Sequence, residues 1–131
     1  MSTLPSLAET ARYLSREEAE SLAKRTLGFA RADETRVTVQ SGSRGNTRFA
    51  RNQVSTGGDN YTTTVTIRSA FGRRSSAVTT NKLDDAALHA AVQTAERLAR
   101  LAPEDPEAMP ELGPQQYGNP VGWSDETGAL H

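Results

Sequence analysis

Residues with the types and spacing for chemistry are few and scattered. Histidine occurs twice, at His89 and His131, and cysteine is absent. A zinc site needs three or four converging ligands. His89 has no second histidine at i+3 or i+4, and His131 is the final residue, so neither reads as a metal ligand. The lack of cysteine excludes disulfides, thiolate zinc sites and a thiol nucleophile. Ser75-Ser76 and Thr79-Thr80 supply hydroxyls, but no nucleophile elbow surrounds them and one internal histidine is the only neutral-pH base on offer. They read as strand-face hydroxyls. The glycines at 42, 45, 57, 58 and 72 sit between strand patterns rather than ahead of helices, so none forms a phosphate loop.

The remaining candidate is Asn46–Ser55, NTRFARNQVS, with two arginines, two asparagines and an aromatic. Basic residues interleaved with aromatics suit single-stranded nucleic acid when several bases can stack. Here alternation sends Arg48 and Phe49 to opposite faces of a strand, and one aromatic makes no platform. With a net charge of −1, the electrostatic footprint of a nucleic-acid domain is also missing. The expectation is Phe49 in the core and Arg48 facing away with Ala50 and Asn52.

That small net charge hides an asymmetry. Arg36 to Arg74 holds seven arginines against one acid, Asp59, whereas Asp84 to Glu111 holds seven acids against two arginines. Either the basic middle awaits an anionic partner, or the two segments lie together in the fold and neutralise each other.

The elements that position these residues follow from pattern. Residues 1–14 carry no sustained period and read as a flexible arm. Ser15-Arg16-Glu17-Glu18 is a capping box, and Ala19, Leu22, Ala23, Leu27 and Ala30 follow at helical spacing, which predicts a helix over 16–31. Val37 and Val39 alternate with Arg36, Thr38 and Gln40, a half-buried strand. GSRGN (42–46) and GGDN (57–60) read as turns, with a strand over 47–53 between them and 54–56 as its continuation or a short third strand. Tyr61–Phe71 is dense in β-branched residues. Gly72-Arg73 turns the chain into a strand over 74–80. Asn81 to Asp85 supplies caps and early acids for a second helix, whose stripe is Leu88, Ala91, Val92, Ala95, Leu98, Ala99 and Ala102. Asn81 itself is the expected cap. From Pro103 onward lie five of the six prolines, which reads as a linker or a surface-hugging arm.

The predicted fold is therefore a two-layer α+β domain over 15–102, order α-β-β-β-β-α, with an antiparallel sheet and both helices on one face. The other face, Thr62, Thr64, Thr66 and Arg68, is left uncovered as a wall for a channel or a partner. No stretch approaches the ~20 apolar residues of a membrane span, and no basic region followed by an apolar run marks a secretory signal, so the expected location is cytoplasmic.

The ordered segments TRFARNQV, TTTVTIR, GRRSSAVTTNKLD, ALHAAVQTAERLARLAPEDPE and LGPQQY resemble the N-terminal domain of the TldD/PmbA family, metallopeptidases also described as modulators of DNA gyrase. The resemblance spans roughly Ser15 to Tyr117. Its most specific pieces are Arg48–Asn52, the Thr80-Asn81-x-Leu83-Asp84 junction and the Ala102–Pro106 end of the second helix. It implies a longer protein, of which this is an N-terminal fragment or truncated product: 103–131 leads toward a C-terminal domain whose histidine-glutamate-three-residue-histidine motif binds zinc, and GNPVGWSDETGAL resembles that domain's start. No such motif occurs here, so the resemblance transfers no catalytic residue and implies no metal or proteolysis by this chain alone. It further implies homo- or heterodimeric subunits enclosing a cavity for peptides, one branch of the family being metal-free. Arg48, Phe49, Asn52, Arg68, Thr80 and Asn81 are its structural or interface positions; Arg48, Asn52, Arg68, Thr80 and Asn81 are the candidates for facing a partner or peptide. The alternative is a stand-alone module that binds an acidic partner or nucleic acid through its basic strands.

Overall fold

In a computed structural model that describes residues 13–129, the elements run α1 (Arg16–Gly28), β1 (Glu34–Ala50), β2 (Gln53–Phe71), β3 (Arg74–Thr80), α2 (Asp85–Leu101) and a single helical turn, α3 (Asp125–Gly128). Most of the expected N-terminal arm, and His131, lie outside the described residues. The strands form one antiparallel sheet in the order β1-β2-β3, as tight connections require. Among the described residues no helix is long and apolar enough to cross a membrane.

The α+β, one-sided architecture is as the sequence pattern predicts. Val37 faces Ile67 and Val39 faces Val65 across β1 and β2, and Ile67 faces Val78 across β2 and β3. Val65 and Ile67 are fully buried, together with Leu88, Val92 and Ala95 of α2, and Leu22 of α1 and Ala91 of α2 are buried beside them. Burying each large aliphatic side chain stabilises the fold by roughly 1.5–3 kcal/mol, so this patch of β2 anchors both helices.

The strand count differs from the expected four because the turns lie elsewhere. GSRGN and GGDN are not turns: Gly42 pairs with Thr62, Gly45 with Asp59, Asn46 with Gly58 and Thr47 with Gly57 inside one continuous ladder. The chain reverses at Arg51-Asn52, where both residues adopt left-handed backbone, φ 53° and 57°. A two-residue loop with positive φ at both positions matches the twist of a β-hairpin. Glycine offered no necessity for a turn here, because it sits in extended backbone as readily. A bulge between Arg48 and Phe49 leaves Ser55 without a partner across the ladder.

The helices also differ in detail. The Ser15 capping box forms, with Ser15 Oγ accepting from the Glu18 amide and Glu18 accepting from the Ser15 amide. The helix ends at Gly28, not Arg31. Its buried face includes Thr26, whose hydroxyl donates to the Leu22 carbonyl at 2.8 Å and so enters the core satisfied. Leu27, expected in the stripe, is 43% exposed. At α2 the N-cap is Asp84, whose carboxylate accepts from the Ala87 amide at 2.9 Å. Asn81 is exposed and lies before the cap, so the expected role falls to a residue three positions later. Glu96, in the middle of α2, is buried and accepts from the Arg31 and Ala32 amides at 2.5 and 3.1 Å. It closes the loop between α1 and β1.

A candidate interaction face on the long hairpin

β1 and β2 are far longer than the helices that cover them. Every residue from Ser43 to Thr62 is exposed, so this half of the hairpin is a two-stranded arm standing beyond the core. Phe49 and Val54 pair across its end and are 70% and 60% exposed. This corrects the expectation that Phe49 packs in the core: alternation assigns it to the helix-side face, but that face has no helix at its position. Arg44, Arg48 and Arg51 form no ion pair among the described residues. Nearer the core, Tyr13 braces the arm. Its hydroxyl lies 2.5 Å from Ser43 Oγ, and its ring meets Tyr61 edge-on at 6.1 Å.

The face of the sheet opposite the helices is polar along its whole length. Arg36, Thr38, Gln40, Gly42 and Arg44 of β1 lie opposite Arg68, Thr66, Thr64, Thr62 and Asn60 of β2. Gly42, lacking a side chain, opens a shallow groove of about 340 Å³ between Gln40, Arg44, Asn60 and Thr64. Thr66 and Thr79 share a hydroxyl hydrogen bond of 2.9 Å across β2 and β3.

At its inner end this face is not bare. The chain beyond α2 runs beneath it. Arg74 donates to the Ala102 carbonyl at 2.7 Å and lies 3.6 Å from Glu104, and the Asp105 amide donates to the Arg73 carbonyl at 3.0 Å. Glu111 then sets its carboxylate between Arg36 and Arg68. It is hydrogen bonded to Arg36 and 3.5 Å from Arg68, whose guanidinium also donates to Ser75 Oγ at 3.0 Å. The Glu111 hydrogen bonds hold the Arg36 guanidinium above its ordinary pKa. Part of the basic middle is thus neutralised by the acidic segment. Among the described residues the three arm arginines have no such partner.

The sequence-selected residues do not converge. Arg48 and Asn52 lie at the end of the arm, Asn52 as the second left-handed turn residue. Arg68 lies under the tail, roughly 40 Å from Arg48 along the sheet at ~3.3 Å per residue. Thr80 ends β3 opposite Val65, on the helix side, and its hydroxyl accepts from the Lys82 amide at 3.1 Å. Asn81 follows it. Thr80 and Asn81 shape the entry to α2. His89 is exposed on α2 with its ring 5.1 Å from Phe29, a helix-surface residue as expected. Arg36, Glu111 and Arg44 were missed. Arg36 was recoverable, because the Val37–Ile67 pairing places it opposite Arg68; Glu111 lies in a segment without periodicity. Among the described residues no three His, Cys, Asp or Glu side chains converge, so the donor set does not fit a zinc ion.

Comparison with known proteins gives this geometry a context. Residues 36–99 match the model of PmbA/TldA metallopeptidase domain 1. The fold resembles the crystal structure of TldE from Thermococcus kodakarensis with a TM-score of 0.56 and 21% identity, over 78% of this chain and 23% of that one. The chain therefore spans about a quarter of the length of that structure. No curated protein gives a significant match. The matched segment, just under half of the chain, contains nearly all of the three-stranded sheet with its arm and nearly all of α2, and over these residues the chain resembles the first domain of the TldD/PmbA family.

Proposed function

We propose that this domain is an assembly and peptide-facing wall element of a TldD/PmbA-type metallopeptidase, with the hydrolytic metal supplied from outside the residues described here. The observation that carries the reading is the arm. Twenty consecutive residues stand outside the core and end in an exposed Phe49–Val54 pair. An isolated two-stranded hairpin is marginal in water, so its length makes physical sense when another subunit covers it. The polar sheet face beside it offers hydroxyls and arginines to a peptide without an apolar surface to trap one. Among the described residues no three His, Cys, Asp or Glu side chains converge as a metal site for hydrolysis.

Sedimentation of the chain with a metal-bearing TldD/PmbA subunit tests this. A complex is expected, weakened by Phe49→Asp with Val54→Asp. Sedimentation as separate species at every concentration would contradict it. A second reading, a stand-alone module for an acidic partner, is favoured by Arg44, Arg48 and Arg51, which form no ion pair among the described residues. It predicts oligonucleotide binding that falls steeply with salt as counterions are released; no binding at low salt refutes it.

A further inference from the structure

Arg36 and Arg68 stand directly opposite each other on neighbouring strands, on the same open face. Like charges in that register repel and call for an anion between them. The anion does not come from the sheet. It is Glu111, carried in by a segment that buries little apolar surface: Met109 and Leu112, on either side, are among the most exposed side chains of the chain. Its backbone amide reaches the Glu34 carboxylate at 3.4 Å, a long contact. The carboxylate is thus held mainly by charge. All three partners remain open to water, with side-chain exposures of 58% for Arg36, 38% for Arg68 and 34% for Glu111. Arg68 is oriented in advance by Ser75 Oγ. A cleft of about 790 Å³ surrounds the cluster, bounded by Arg36, Arg68, Met109, Leu112 and Tyr117.

Two guanidiniums converging on one solvent-reachable carboxylate are a carboxylate receptor, since the arginine fork matches that group's geometry. We propose that the Arg36–Arg68 pair is a binding site for a peptide carboxylate and that Glu111 is its occupant in cis, giving way when a peptide carboxylate competes. The inference rests on the reading of the open face as a peptide-facing wall, but it concerns a single chain and needs no assembly.

The test uses the 131-residue chain and three blocked peptides: acetyl-Gly-Ala-Ala with a free C-terminal acid, the same peptide as an amide, and acetyl-Ala-Glu-Ala amide. Binding is read by NMR from the arginine Nε–Hε signals and, in the wild type, from the Glu111 side-chain carbon. The acid peptide is expected to shift the Arg36 and Arg68 signals and move Glu111 toward its solvent-exposed value. Glu111→Gln should tighten that binding about tenfold, the factor expected when an internal occupant fills a site about nine-tenths of the time. Arg68→Gln should abolish it. If acetyl-Ala-Glu-Ala amide binds as well as the acid, the site takes side-chain carboxylates too; if it does not, the site reads the C-terminus. Equal binding of the neutral amide, or no carboxylate-dependent shift in either wild type or Glu111→Gln, overturns the proposal. Because the wild-type readout stands alone, the test survives a variant that fails to fold. Failure here leaves assembly through the arm untouched, and failure of assembly leaves this binding measurable.

Discussion

Replacing Arg51-Asn52 by Asn-Gly should stiffen the arm and nothing else. From Ser43 to Thr62 no side chain is buried, so beyond the Tyr13 brace at Ser43 and Tyr61 the arm is held by ladder hydrogen bonds worth about 0.5–1.5 kcal/mol each. Against them stands about 1–2 kcal/mol of backbone entropy per residue. These bonds alone do not outweigh the entropy, an isolated two-stranded hairpin being marginal in water, so the arm should open far more readily than the core and well below global unfolding. Arg51 holds φ 53° and Asn52 φ 57°. Left-handed backbone costs a residue with a Cβ roughly 1–2 kcal/mol, less for asparagine. The double change Arg51→Asn, Asn52→Gly installs the preferred residues for a loop of this kind and should stabilise the arm by about 1 kcal/mol. That is about a fivefold rise in amide protection. Amide hydrogen exchange by NMR reads it directly: residues 45–60 slow about fivefold while Val65–Ala70, which open with the core, do not change. Unchanged protection in the arm, or a rise shared equally with Val65–Ala70, would refute the reasoning that the arm is a separate, weakly held unit.

Other outcomes follow from the same structure. Ile67→Ala should cost about 2–5 kcal/mol in urea denaturation, because a fully buried side chain leaves a cavity, whereas Phe49→Ala should stay within about 0.5 kcal/mol. Asp84→Ala should cost about 1 kcal/mol by removing the α2 cap, and Asn81→Ala should leave the denaturation midpoint in place. Glu96→Ala should cost about 1–3 kcal/mol, since it strands the Arg31 and Ala32 amides; Glu96→Gln, which keeps an acceptor, should lose less. The Glu17 carboxyl is held below its ordinary value, first by a backbone hydrogen bond and then by Ser15. A depressed acid adds stability that is present above its unfolded value and disappears as pH falls through its folded value. Glu17→Gln should therefore narrow the stability difference between pH 7 and the acid side of the carboxylate range, measured by paired thermal melts.

The fold was legible wherever one face is buried. Val37, Val39, Val65 and Ile67 alternate because helices cover one side, and that alternation identified strands, faces and helix positions. It failed where burial stops. Beyond Ser41 both faces meet water, so the period carries no information, and glycine-rich stretches resembled turns. A quantitative cue was present: the midpoint of the Val37–Ile67 and Val39–Val65 pairs falls at Asn52, in the actual loop. The same limit misplaced Phe49, whose face was read correctly and whose surroundings were not. Asn81 was preferred to Asp84 as a cap because both suit that role by composition and only the helix start decides. The carboxylate cluster was half legible. Register brings Arg36 to Arg68, but Glu111 arrives through an aperiodic, proline-rich segment that local rules do not place.

The central claim is that the hairpin arm exists to be covered by another subunit. Hydrogen exchange of the ¹⁵N-labelled chain, alone and mixed with an unlabelled metal-bearing TldD/PmbA subunit, tests it most directly. The account predicts that amides from Arg44 to Thr62 exchange quickly in the chain alone and gain protection of about tenfold or more on mixing, the change expected when a partner supplies about 1.4 kcal/mol to the arm. Arm amides that exchange equally fast in both samples, while the subunits demonstrably associate, would contradict it.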